Sequence, residues 1–139
     1  MKILYFFFIF LIAHLSPVFA VESPQLSEKL RQNAEEHLKV EVIHVEHQNF
    51  SHQAYVEIYV KARVKVLSVK RSRNALKYNY QINLNYLHHY KQQEDGKPAP
   101  GPSILPILEN GQILIVFLNK IEGMRNTYKP AALGRSFQF

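Results

Sequence analysis

Residues 54–70 alternate between aliphatic and polar side chains over a length that few folds accommodate. The aliphatic set is Val56, Ile58, Val60, Ala62, Val64 and Val66, and the polar set is Tyr55, Glu57, Tyr59, Lys61, Arg63 and Lys65. A β-strand sends successive side chains to opposite faces, whereas a helix would scatter these aliphatic residues around its axis. We therefore predict one long strand with an inward aliphatic face and an outward basic face. Such a strand is expected to bend and to serve both sides of a small barrel.

The first 20 residues have the pattern of a signal peptide. Lys2 precedes the apolar run Ile3–Ile12, and residues 16–20 supply a proline and a small residue before a cleavage site at Val21. An uncleaved anchor is the alternative, but the apolar run is shorter than the ~20 residues that a spanning helix needs. We expect an exported protein, periplasmic or secreted, with no stable membrane anchor after cleavage.

Residues 21–139 have the length of a single domain. The chain contains no cysteine, which excludes disulfides, zinc–thiolate sites and cysteine nucleophiles, and favours a bacterial compartment over an animal extracellular one. Its formal net charge of +6 indicates an anionic partner rather than a cationic one.

Other segments complete a mainly β pattern around the long strand. Ser23-Pro24 begins a predicted amphipathic helix over residues 24–37. Its apolar stripe is Leu26, Leu30, Ala34 and Leu38. Residues 40–46 read as a strand whose alternation slips at Val42-Ile43, which indicates either a bulge or a strand covered on both faces.

The second half of the chain supplies the remaining strands. Residues 78–88 alternate and predict an antiparallel hairpin with the long strand, whereas residues 92–106 are rich in proline and predict an irregular segment. Residues 113–118 form a continuous apolar run, residues 120–134 read as a loop, and residues 136–139 read as an edge strand. The expected fold is a small five-stranded antiparallel OB-like barrel with one N-terminal amphipathic helix.

Two segments of this pattern resemble a known class. Residues 60–69, followed by a basic loop, and residues 106–118 are similar to the netrin-like modules, which include the tissue inhibitors of metalloproteinases. The resemblance covers about residues 54–120 and implies an OB-type barrel, with metalloproteinase inhibition as an alternative function. Those inhibitors chelate the protease zinc through an amino-terminal cysteine, which this chain lacks.

The chain is also similar to small bacterial exported proteins with a Gly-Pro-Ser…Pro loop and a Tyr…Pro-Ala-Ala…Gly…Ser-Phe ending. The corresponding residues here are Gly101, Pro102, Ser103 and Pro106, and then Tyr128, Pro130, Ala131, Ala132, Gly134, Ser136 and Phe137.

Catalytic and metal-binding patterns are weak in this sequence. Ser103 lacks the flanking glycines of a nucleophile elbow, and the paired acids at 35–36 and 94–95 fall on an expected helix face and in a loop. His47 and His52, with Glu46, form the best candidate metal group, against the alternative that they are polar strand-end and loop residues. We predict neither an enzyme, nor a cofactor, nor a metal site.

The basic residues of the long strand and its exit loop carry the functional hypothesis. The candidate ligand-binding residues are Tyr59, Lys61, Arg63, Lys65, Arg71 and Arg73. Basic residues interleaved with aromatic ones on a barrel face bind single-stranded nucleic acids or sugars in OB-type domains, although a solvated outer face is the alternative. Export argues against nucleic acid, so the expected partner is an anionic glycan, a lipid headgroup or an acidic protein.

Overall fold

The computed structural model describes residues 23–101 and 103–139, and it is mainly β. Its elements are the helix α1 (Pro24–Gln32), the strands β1 (Glu36–Asn49), β2 (Tyr55–Ser72), β3 (Gln81–Lys91), β4 (Ile113–Lys120), β5 (Thr127–Pro130) and β6 (Phe137–Gln138), and a 3₁₀ turn at Leu133–Ser136. The predicted signal peptide, residues 1–20, and Pro102 lie outside the described residues.

Five of the strands form a ring. The strand order is β1-β2-β3-β5-β4, a pairing between β1 and β4 returns to the start, and β6 lies at the outer edge of β4. The long predicted strand is β2, and it pairs with β1 on one side and β3 on the other. Its length allows it to contribute both to the ring and to a three-stranded extension beyond it.

The sheet is mixed, so the prediction of a purely antiparallel barrel is wrong. Strands β3 and β5 run parallel, with Asn83 beside Thr127 and Leu84 beside Tyr128. The error arises in residues 120–134, which contain β5 rather than only a loop. Four residues are too few for a recognisable alternation, and Pro130 within them further obscures the strand.

The aliphatic face of β2 points into the core as predicted. Val60, Ala62, Val64 and Val66 are buried, whereas Val56 and Ile58, in the extension, are half-buried. The buried cluster is completed from the other strands and the segment before β4, by residues that include Leu38, Val40, Ile82, Leu84, Leu108, Leu114, Val116, Leu118 and Tyr128.

Bulges set which side chains face outward. The pairing of β1 with β2 passes over Ile43, which confirms a bulge where the alternation slips, and Ile43 is exposed while Val42 is buried. The pairing of β1 with β2 also skips Leu67 and Lys70, which marks two further irregularities in β2. An extra residue bends its strand and reverses the facing of the residues beyond it.

The helix is shorter than predicted. Ser23 caps it by accepting a hydrogen bond from the Leu26 amide at 3.1 Å, but α1 ends at Gln32 because residues from Glu36 onward pair in β1. Leu26 is 46% exposed and Ser27 is fully buried, so the predicted apolar stripe is wrong at its first position. No helix among the described residues is long and apolar enough to cross a membrane.

The proline-rich segment contains no helix or regular strand, as predicted, and it packs on the extension. The Tyr86 hydroxyl donates to the Pro106 carbonyl at 2.6 Å and accepts from the Leu108 amide at 3.1 Å. His88 Nδ1 lies 2.6 Å from the Leu105 carbonyl. These contacts hold residues 105–108 against β3.

Candidate functional site

The register of β1, β2 and β3 arranges the outer face in cross-strand rows. One row is His44–Arg63–Asn83 and the next is Glu46–Lys61–Asn85. Each row places a cation at its centre and a neutral amide on β3. Directly opposed residues of neighbouring strands lie about 4.5–5.5 Å apart at Cβ, so the two rows form one continuous polar surface.

These rows line a cleft of about 260 Å³, which we call the Lys61–Arg63 cleft. It is lined by His44, Glu46, Lys61, Ala62, Arg63, Asn83, Asn85, Met124 and Thr127. Met124 belongs to the connection between β4 and β5, so the cleft lies where that loop approaches the β2–β3 face.

Lys61 and Arg63 are exposed cations that form no ion pair with the described residues. Within the described part of the chain, neither side chain forms a salt bridge or a hydrogen bond, and the Lys61 Nζ lies 5.8 Å from the centroid of the Tyr59 ring. Glu46 pairs with Lys61 in register, but its Oε1 lies 3.2 Å from His44 Nε2. The two cations are therefore free to receive an anion.

Lys65, the next outward residue of β2, differs from them. Its Nζ lies 3.7 Å from Glu41 Oε2, in a partly exposed ion pair. That pair compensates its charge, and Lys65 is not among the residues that line the Lys61–Arg63 cleft. Lys65 can add to the local positive potential, but its ammonium group is already paired with Glu41.

Tyr59 lies on β2 two residues before Lys61, on the side away from Lys65. It is half-buried, and with Lys61, Glu46, His47 and Gln48 it lines a second depression of about 90 Å³. The two depressions share Glu46 and Lys61. The structure therefore brings Tyr59, Lys61 and Arg63 together.

Arg71 and Arg73 lie elsewhere. Arg71 lies eight positions along β2 from Arg63, at most about 26 Å at 3.3 Å per residue. Arg71 Nε and Nη2 donate to the Ala34 carbonyl at 3.0 and 2.8 Å, and Nη2 also donates to the Arg31 carbonyl at 3.0 Å. This guanidinium holds the C-terminal end of α1 against β2, and Arg73 follows it at the end of the strand.

Sequence reasoning missed the amide side of the cleft. Asn83 and Asn85 are recognisable as the polar positions of an alternating strand, but only the register shows that they lie opposite Arg63 and Lys61. His44 and Glu46 were hidden by the bulge at Ile43, and Met124 lies in a loop without a motif.

The histidines do not assemble into a metal site. Glu46 contacts His44 rather than His47, and His52 stacks on Tyr55 with ring centroids 5.8 Å apart. Tyr55 in turn stacks on His89 at 6.0 Å. Among residues 23–101 and 103–139, no three His, Asp or Glu side chains lie together in an arrangement that could hold a metal ion.

The paired acids at 35–36 have a structural role. Glu36 is fully buried, and its Oε1 accepts hydrogen bonds from the backbone amide of Asn74 at 3.0 Å and from Asn74 Nδ2 at 2.7 Å. Glu35 Oε2 accepts from the same Nδ2 at 3.0 Å. Both carboxylates therefore fix the loop after β2.

Comparison of the chain with protein-family models, with curated proteins and with solved structures found no match.

Proposed function

We propose that this protein is an exported, non-enzymatic binding module that holds an anionic ligand in the Lys61–Arg63 cleft. The observation that carries the proposal is the presence of two exposed cations on one face, neither of them in an ion pair among the described residues, beside two amide side chains. Opposite charges attract over about 8 Å at physiological ionic strength, so two adjacent cations act together on one ligand. The ligand classes are an anionic glycan, a lipid headgroup or an acidic protein.

The ring of strands is, in this proposal, an OB-type barrel. Its support is the strand order β1-β2-β3-β5-β4, closed by the β1–β4 pairing. OB-type barrels bind ligands on the face of their second and third strands, between the β1–β2 and β4–β5 loops. The Lys61–Arg63 cleft draws on those two strands and on Met124 of the β4–β5 loop.

The exported location and the lack of catalysis rest on other arguments. Export is inferred from residues 1–20, whose composition is that of a signal peptide. A non-enzymatic role is inferred because the sequence contains no convincing acid–base pair, and because Glu35 and Glu36 are engaged with Asn74. Periplasmic or secreted glycans and lipids are the anions that such a protein would encounter.

Charge reversal tests the cleft directly. The double variant Lys61→Glu/Arg63→Glu is compared with Lys29→Glu/Lys77→Glu, which changes the net charge equally at exposed positions on α1 and in the β2–β3 loop. We expect the first variant to elute from immobilised heparin at a much lower salt concentration and the second to elute near the wild type. Both should keep their melting temperatures, since outward charges contribute little to folding. Equal losses of retention would show that only net charge matters and would refute a site.

A metalloproteinase-inhibitor-like role is the second proposal, and it is supported only by the strand order that netrin-like modules share. Fold-level likeness is weak evidence of function. Incubation with a panel of zinc metalloproteinases tests it, because near-stoichiometric inhibition would place this role ahead of anion binding. If no protease of the panel is inhibited, the inhibitor-like role is refuted.

A further inference from the structure

The Lys61–Arg63 cleft mixes charge with neutral hydrogen-bonding groups in an ordered way. In each row a cation on β2 is followed by an amide on β3, Arg63 by Asn83 and Lys61 by Asn85. Within the described residues, neither amide side chain has a hydrogen-bond partner. An asparagine amide offers two donors and two acceptor lone pairs, so each row presents a cation next to a group that can both donate and accept.

The charge of the cleft is modest. Lys61 and Arg63 stand against the single carboxylate of Glu46, with His44 beside it. A ligand with closely spaced phosphates would meet that carboxylate, and like charges at short range are repulsive. A ligand with one anionic group per unit and neutral polar groups between them suits this lining better.

We propose, as a refinement that rests on the proposed function, that the ligand is an acidic oligosaccharide of the uronic acid type. Arg63 receives the sugar carboxylate, because a guanidinium matches a planar carboxylate with two parallel hydrogen bonds. Asn83 and Asn85 bind the sugar hydroxyls, which donate and accept as the amides do. Lys61 attracts the carboxylate of the neighbouring sugar.

The lining disfavours the other ligand classes. No Phe, Tyr or Trp is among the described residues of the cleft, and single-stranded nucleic acids are held by bases stacked on aromatic rings. Tyr59 lies beside the cleft, but it is half-buried and partly covered by the Lys61 ammonium. Among the described residues of the lining, Met124 is the only large apolar side chain, so an acyl chain would have little to contact.

Three kinds of probe separate charge from sugar recognition. The first is a set of tetramers of galacturonic, mannuronic and guluronic acid. The second is their methyl esters, which keep the hydroxyls but lose the charge, and the third is inorganic tetrapolyphosphate, which keeps charge without hydroxyls. Binding of each to the purified protein is measured by calorimetry. We expect at least one acidic tetramer to bind about ten-fold tighter than both its methyl ester and tetrapolyphosphate.

Two variants assign the roles of the residues. The double variant Asn83→Ala/Asn85→Ala should weaken that tetramer about ten-fold, as the loss of two net hydrogen bonds implies, and should leave tetrapolyphosphate binding unchanged. Arg63→Lys keeps the charge but removes the planar fork that pairs with a carboxylate, so it should weaken binding of the tetramer although the charge of the cleft is unchanged. Lys77→Arg serves as the control on an exposed loop.

The outcomes distinguish this inference from the proposed function. If tetrapolyphosphate binds as tightly as every tetramer and the asparagine variant has no effect, the cleft is an anion site without sugar specificity, and only the inference is refuted. If a deoxythymidine oligonucleotide binds tighter than all tetramers, the ligand class is wrong. If no probe responds to Lys61→Glu/Arg63→Glu, the proposed function fails as well.

Discussion

Gly134 packs directly against Ser103, so closely that a methyl group on its Cα would lie 2.7 Å from the Ser103 Cβ and 2.8 Å from the Ser103 carbonyl carbon. Ser103 belongs to the Gly-Pro-Ser…Pro loop and Gly134 to the C-terminal segment before β6, and the two residues are distant in the sequence. The proline-rich segment and the 3₁₀ turn before β6 therefore meet at a point where only a glycine fits.

This contact predicts the effect of adding one methyl group. Gly134→Ala should lower the free energy of unfolding by about 1–3 kcal/mol, because the Ser103 backbone cannot move without displacing the segment. Gly101→Ala is the matched control, since its Cβ would meet only the Ala99 carbonyl at 3.9 Å. Chemical denaturation measures both variants, and equal stabilities would show that the contact is loose.

Tyr86 provides a second test of how the proline-rich segment is held. Tyr86→Phe removes the hydroxyl that donates to the Pro106 carbonyl and accepts from the Leu108 amide. Both backbone groups then lose their hydrogen bond to Tyr86. We expect a loss of about 1–3 kcal/mol. Tyr78→Phe, at a side chain that is 71% exposed, should cost little.

The same tyrosine should make stability fall at high pH. Burial raises the pKa of Tyr86 to about 12 from its ordinary value of 10.0. The folded state therefore holds its proton between about pH 10 and 12 while the unfolded chain releases it, so this contribution is complete below pH 10 and is lost as the pH rises through that window. Denaturation of Tyr86→Phe should show a smaller loss over the same window, and an unchanged slope would contradict the assignment.

The fold was predictable where the side-chain pattern was long. Strand β2 shows its two faces over many residues, and the slip at Ile43 in β1 marked a true bulge. Strand β5 was missed because its four residues carry no period, and its parallel pairing with β3 depends on the path of the whole chain.

The candidate site was predictable in part. The sequence shows which residues are charged, but it does not show which of those charges are neutralised or hydrogen-bonded by residues of other elements. Tyr59, Lys61 and Arg63 lie together, whereas Lys65 is paired with Glu41 of β1 and Arg71 holds the carbonyl groups at the end of α1. Both partners come from other elements. The amides of β3 were missed for the same reason, since the register of β2 and β3 decides which polar residue faces which cation.

His37 connects the Arg71 contact to a measurable pH dependence. Its ring packs on the Phe117 ring at a tilt of 33°, with centroids 4.2 Å apart, and the Arg31 guanidinium lies 4.4 Å from the centroid of the Phe117 ring. Burial lowers the pKa of His37 below its ordinary value of 6.5, and the charges of Arg71, Lys70 and Arg31 lower it further. The folded state therefore disfavours the imidazolium.

The sign of the effect follows from proton binding. Below pH 6.5 the unfolded chain takes up a proton at residue 37 that the folded chain resists, so this contribution is complete above pH 6.5 and is lost as the pH falls toward the lowered pKa of the folded state. His37→Gln should flatten the fall in unfolding free energy between pH 7 and 5. Titration of the His37 ring by NMR should move toward higher pH in Arg71→Gln. A titration that stays in place would mean that the charge of Arg71 does not contribute to the lowered pKa of His37.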